Sequence, residues 1–200
     1  MPLIFKKEPE EVKDIVESQI NRMNMKMAFS TPRLAGLVAE APAEPIPSKP
    51  LPVYHLGLED LADKAEIEAS IQTGWQYMVK HEDEVLASAE TVLDQDKNPV
   101  FAQVSEGPLV EGTVQAIDYA EEQEKIKDGK YEVRILMVPA LYVALLWLVD
   151  KKNKADLAIP IAPTTTPLEP NNVMTMKEVM EILQKSAKDL LKSQPPGDST

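Results

Sequence analysis

The chain predicts an α+β fold: a mainly antiparallel sheet of about five to seven strands, helices packed on one face, and a helix at each terminus. Three observations lead there. The run from Ile135 to Val149 carries no charge and is rich in Val, Leu, Tyr and Trp, which suits buried strands. The other apolar stretches of strand length fall mostly into pairs separated by turn clusters, the mark of hairpins rather than βαβ units. Two amphipathic segments, about 8–28 and from Thr175 onward, bracket the rest.

The apolar run sets the fold class, because it must be buried somewhere. A membrane-spanning helix needs about 18–20 consecutive apolar residues, and this run is shorter and broken by Pro139. Proline cannot donate to a ladder. The run therefore reads as a strand over 131–138, a break at Pro139-Ala140 and a second strand over 141–149.

The first helix follows from Val12, Ile15, Val16, Ile20, Met23 and Met27 at helical spacing, with Pro9 in the first turn and Glu8, Glu10 and Glu11 at the positive end. Met23, Met25 and Met27 read as packing residues of that helix. Residues 30–52 hold Pro32, Pro42, Pro45, Pro47, Pro50 and Pro52 and read as a semi-rigid connector. The expected organisation is a helix over 1–29, the connector over 30–52, a body over 53–192 and a disordered tail over 193–200.

Within the body, Val53–Leu56 reads as a short strand and Leu58–Ala69 as a helix. Trp75–Val79 and Val85–Leu93 form a hairpin around the polar turn His81–Glu84. Asp94–Pro99 is a turn cluster before a strand over Val100–Val104. A helix over about 109–126 opens at Pro108, buries Val110, Val114, Ile117 and Ala120, and stops at Asp128-Gly129. After the two core strands, Lys151–Asp156 is a charged turn. Leu157–Ile161 is a strand that Pro160 assigns to an edge, and 162–172 is a loop. Thr175-Met-Lys-Glu178 is a capping box opening the last helix, with Val179, Ile182, Leu183, Leu190 and Leu191 as its buried stripe.

Composition narrows the function classes. A net charge of −12 without a basic stripe argues against nucleic acid and against an anionic membrane surface, and favours a basic partner. The chain has no cysteine, hence no disulfide or thiolate site. Its opening Met-Pro-Leu-Ile-Phe-Lys-Lys is apolar before it is basic, the wrong order for a secretory signal, so the expected location is cytoplasmic.

The motifs are incomplete. His81-Glu-Asp-Glu-Val85 has Val85 where a zinc helix needs its second histidine. Gly107–Thr113 has phosphate-loop glycine spacing with no lysine, and Glu111 would repel the anion. Asp94-Gln-Asp96-Lys-Asn98 starts like a calcium loop, but Pro99 replaces the glycine and Ser105 the final glutamate. No cofactor and no metal is expected.

Candidate binding residues remain. Glu132 and Arg134 share a strand face, and Arg134 enters the apolar run, so it needs a carboxylate or a ligand anion. Glu90 is a second candidate partner for it. Trp75, Tyr77, Tyr142 and Trp147 either line a pocket or belong to the core. The preferred reading is a non-enzymatic protein acting through protein–protein contact, with self-association through the strand after Pro139 and the proline-tethered first helix. The alternative is a small-molecule binder whose Arg134 fixes an acidic group in an apolar cavity. A third is an enzyme using Glu90, Glu132 or His55 as acid or base.

Overall fold

The chain folds around one open, mostly antiparallel sheet, seen in a computed structural model that describes residues 3–25, 46–64, 66–81, 84–152, 155–165 and 167–193. The strands are β1 (Leu3–Ile4), β2 (Ile46–His55), β3 (Ile71–His81), β4 (Glu84–Leu93), β5 (Pro99–Ser105), β6 (Tyr131–Val138), β7 (Val143–Asp150), β8 (Leu157–Ile161) and β9 (Met174–Thr175). The helices are α1 (Glu10–Met25), α2 (Leu58–Asp63), α3 (Pro108–Glu122), α4 (Glu124–Lys127) and α5 (Met176–Ser193). The strand order is β5-β4-β3-β2-β6-β7-β8-β9, and β1 pairs with β6 beside the start of that strand. Only β1 and β2 run parallel to β6; every other pair is antiparallel.

The apolar run forms β6 and β7, as its composition predicts. Between them, Pro139–Leu141 make one 3-10 turn and Tyr142 adopts a left-handed conformation (φ 52°). The two strands pair without a shift from Tyr131↔Asp150 to Val138↔Val143. Among the described residues, no helix is long and apolar enough to cross a membrane.

Helices cover both faces of the sheet, not one. Alternation along β6 shows this directly. Val133 and Ile135 pack with Val110, Ala116, Ile117 and Ala120 of α3. Leu136 and Val138 pack with Val179, Met180 and Leu183 of α5 and Leu61 of α2. The second face continues under α1, where Val12, Val16 and Ile20, one helical turn apart, lie on Trp75, Tyr77 and Val79 of β3. On the same face as α3, Met78 of β3 and Val85 of β4 still pack with that helix, while Gln76, Glu90 and Gln103 make a polar row beside its start.

Other boundaries shift for local reasons. Strand β2 starts at Ile46, so the last part of the expected connector is strand; residues 26–45 lie outside the description. Prolines are tolerated because over this stretch β2 is flanked by β3 alone, and a register shift between Ser48 and Leu51 takes up Lys49 and Pro50. The helix expected over 58–69 is α2 followed by a separate 3-10 turn at Ile67–Ala69. The capping box of α5 forms as the spacing predicts: Thr175 N–H donates to Glu178 Oε2 (2.9 Å) and Glu178 N–H to Thr175 Oγ1 (3.3 Å). The buried stripe of α5 is Met176, Val179, Met180, Leu183 and Ala187; Ile182 and Leu190 are half-buried and Leu191 is exposed. The 94–98 segment is a hairpin turn, with Asp94 Oδ1 accepting from the N–H groups of Asp96 (2.9 Å) and Asn98 (2.8 Å). Gly107–Thr113, the glycine-spaced segment, is the entry to α3. Residues 27, 82–83 and 194–200, and the side chains of Met25 and His81, lie outside the description; of the tail expected over 193–200, Ser193 is the last residue of α5.

Candidate functional site

The register of the sheet places side chains in cross-strand rows, and on the α3 face two neighbouring rows differ sharply. One row is polar: Gln103 of β5, Glu90 of β4 and Gln76 of β3 stand side by side. Glu90 Oε1 accepts from Gln76 Nε2 (3.4 Å) and Ser88 Oγ (3.3 Å), and its Oε2 accepts from Gln103 Nε2 (3.0 Å). Gln76 Nε2 also donates to Ser88 Oγ (3.3 Å). Gln76 and Ser88 are buried, so two of these donors are held by the sheet itself. The ion pairs among the described residues do not include Glu90.

The next row toward the turn ends is apolar: Val100, Val92, Gly74 and Val53. A Cβ on Gly74 would lie 1.8 Å from the Thr91 carbonyl oxygen, so only glycine lets β3 and β4 approach this closely between two register shifts. Beyond Val53 come His55 and its pair Ile71.

These rows and the start of α3 enclose a cleft of about 270 Å³. Glu90, Gln76, Gln103 and Glu106 give it polar groups; Val53, Ile135, Met137, Leu109 and Val110 give it apolar walls. His55 stands at its rim. His55 is exposed overall, yet partial desolvation of its ring lowers its pKa from 6.5, opposed by the charge of Glu90.

Leu109 and Met137 are shared with an adjoining apolar hollow of about 370 Å³ formed with Pro139, Tyr142, Ala144 and Pro163. Among the described residues, the large hydrophobics most exposed are Tyr142 (79%), Ile71 (69%), Val92 (44%) and Val100 (40%), and all four lie at this end of the sheet. From β5 to β7 the surface crosses five strand spacings of about 4.8 Å, or about 24 Å.

The residues singled out from the sequence fall into separate places. Glu132 and Arg134 share a face, but it is the α5 face, opposite Glu90, so Arg134 and Glu90 are not partners. Arg134 Nε donates to Glu132 Oε1 (2.8 Å), its Nη2 lies 2.7 Å from the same oxygen, and Lys151 pairs with Oε2. Burial raises the Glu132 pKa, but the hydrogen bonds from Lys151 and Arg134 outweigh it, so its carboxyl lies below 4.5. The guanidinium lies over the rings of Trp147 (4.8 Å) and Tyr54 (5.0 Å), which themselves meet edge to face (5.3 Å), an intramolecular clamp rather than an open anion site. Trp147 is buried there and donates from Nε1 to Asp156 Oδ2 (2.8 Å).

Trp75 and Tyr77 are core residues beneath α1, so the four aromatics do not line a common pocket. The Tyr77 hydroxyl is buried with no hydrogen-bond partner among the described residues; burial, with Glu8 and Glu17 nearby, raises its pKa. Tyr142 alone of the four is at the surface. The strand after Pro139 is not a free contact surface, because β7 is paired on both edges and buried on both faces. The first helix, α1, packs on β3–β5 of its own chain. Of the three proposed acid–base residues, His55 and Glu90 share the cleft and Glu132 does not.

Gln76, Ser88, Gln103, Leu109 and Met137 were not singled out from the sequence. The available signal was Ser88 and Glu90, two polar residues two positions apart in the otherwise mostly apolar middle of β4. The chain matches no protein-family model, no curated protein and no solved structure, so fold and site are read from its own residues.

Proposed function

We propose that the chain is a protein-contact module that docks a basic partner segment on the uncovered end of the α3 face. The observation that carries this reading is the coincidence at one end of the sheet of Tyr142, Ile71, Val92 and Val100, exposed, around the acidic cleft. Exposed apolar patches rimmed by polar groups mark interaction surfaces, and aromatic anchors such as Tyr142 dominate their energetics. The partner is basic because the chain carries a net charge of −12 and two copies repel each other.

A displayed random-peptide library panned on the full chain tests it. Enriched sequences carrying Lys or Arg between apolar residues, lost on a triple variant Ile71→Ser, Val92→Ser, Tyr142→Ser, support the reading. No enrichment, or the same sequences from the triple variant, refutes it. A wild-type homodimer that the triple variant dissolves in sedimentation analysis also refutes the basic partner, in favour of self-association.

A further inference from the structure

We infer that the cleft beside Glu90 is a binding pocket for one ammonium or guanidinium group on a short apolar stem. The inference rests on the docking reading only for the source of that group, a lysine or arginine side chain of the partner. The pocket chemistry follows from the cleft itself.

Glu90 is fixed by three neutral donors. Gln76, Ser88 and Gln103 orient its two oxygens, and being neutral they do not cancel its charge. Gln76 (6% exposed) and Ser88 (fully buried) cannot swing away to solvent. A carboxylate offers about four lone-pair sites, so three donors leave capacity for another. Glu90 borders the cleft, where that further donor would sit.

The walls then select the stem. Val53, Ile135, Met137 and Leu109 offer apolar contact along the cleft. A ligand anion meets Glu90 and Glu106 and is repelled. A neutral apolar ligand desolvates the carboxylate and returns no hydrogen bond. A cation with several N–H donors on a methylene stem satisfies both halves of the cleft. At about 270 Å³ the space suits one such side chain or a small amine, and no folded element. Its neighbours on the surface, Ile71 and Val92 on one side and Leu109 and Tyr142 on the other, would flank the basic residue with apolar contacts.

The test is an NMR titration of the ¹⁵N-labelled full chain with butylammonium and butylguanidinium, against butyrate and butanol as controls of similar size. Saturable shifts at the amides of Gln76, Ser88, Glu90 and Gln103 with the cations alone are expected, and Glu90→Gln weakens binding at least tenfold. Equal shifts from butyrate or butanol, or a Glu90→Gln affinity within twofold of wild type, overturn the inference. Should Glu90→Gln not fold by circular dichroism, the wild-type contrast between cations and butyrate decides. Capped Leu-Lys-Leu and Leu-Arg-Leu peptides separate the sources. Binding tenfold tighter than butylammonium, and lost in Ile71→Ser/Tyr142→Ser, identifies a protein side chain. Peptide affinity equal to that of the amine keeps the pocket and removes the docking reading instead.

Discussion

Replacing Arg134 with methionine removes the charge of the clamp while keeping an apolar stem against Tyr54 and Trp147. The Glu132 side chain is 9% exposed and Arg134 18% exposed, so their pair is largely desolvated. Breaking a buried ion pair costs about 3–5 kcal/mol. Here Lys151 remains on Glu132 Oε2, but Lys151 is 43% exposed, so roughly half of that cost survives, about 2 kcal/mol. Loss of the guanidinium from two ring faces adds about 1 kcal/mol. The expected destabilisation at pH 7 is therefore about 3 kcal/mol, roughly a hundredfold in the folding equilibrium.

The pH dependence follows from the depressed carboxyl of Glu132. A carboxylate whose pKa is lower in the folded state contributes stability above its unfolded pKa and loses it as pH falls through the folded value. Arg134 causes part of that depression, so the wild-type advantage is largest at neutral pH and narrows below pH 4.5. Urea unfolding followed by circular dichroism at pH 7 and pH 3 measures both quantities. A loss at pH 7 below about 1 kcal/mol, or one identical at the two pH values, refutes the clamp as a stabilising element.

Two further substitutions test the packing on either side of the sheet. Tyr77→Phe removes a buried hydroxyl that has no hydrogen-bond partner among the described residues, so thermal unfolding should show equal or greater stability, by up to about 1 kcal/mol; a clear loss would mean that the hydroxyl is satisfied. Gly74→Ala sets a Cβ against the Thr91 carbonyl oxygen, where β3 and β4 cannot separate without breaking register, and should cost about 3 kcal/mol in urea unfolding; a neutral effect would contradict the close approach.

Much of the fold is legible in the chain because the strongest signals are local. Strand β6 ends where the apolar run meets Pro139 and β8 begins where the charged turn Lys151–Asp156 leads in, and the turn at Pro139 follows from its missing N–H. The capping box at Thr175 is readable because its partners are three residues apart. The start of β2 is not. A stretch with Pro47, Pro50 and Pro52 carries no strand signal, and it becomes strand through the long-range fact that β3 alone borders it. The covering of both faces is legible as well. A strand apolar at every position, as in Ile135–Val138 and Val143–Trp147, is buried on both sides, so both faces of β6 and β7 must be covered.

Along β4 the side that carries the site opens step by step: Ser88 is fully buried, Glu90 half-buried and Val92 exposed. Ala89 and Thr91 are buried on the α1 side, while Glu90 faces the cleft beside the start of α3 and Val92 is exposed beyond it. Sequence alone places Glu90 in a strand but does not give its partners, because Gln76 and Gln103 come from two other strands and reach it only through register. A shift of one residue in β5 would send Gln103 to the α1 side and remove a donor from the carboxylate. The surface is thus a product of pairing: Gly74–Val79 of β3 and Leu86–Ala89 of β4 are buried on both faces, and exposure begins where Ile71, Val92 and Val100 reach the end of the sheet.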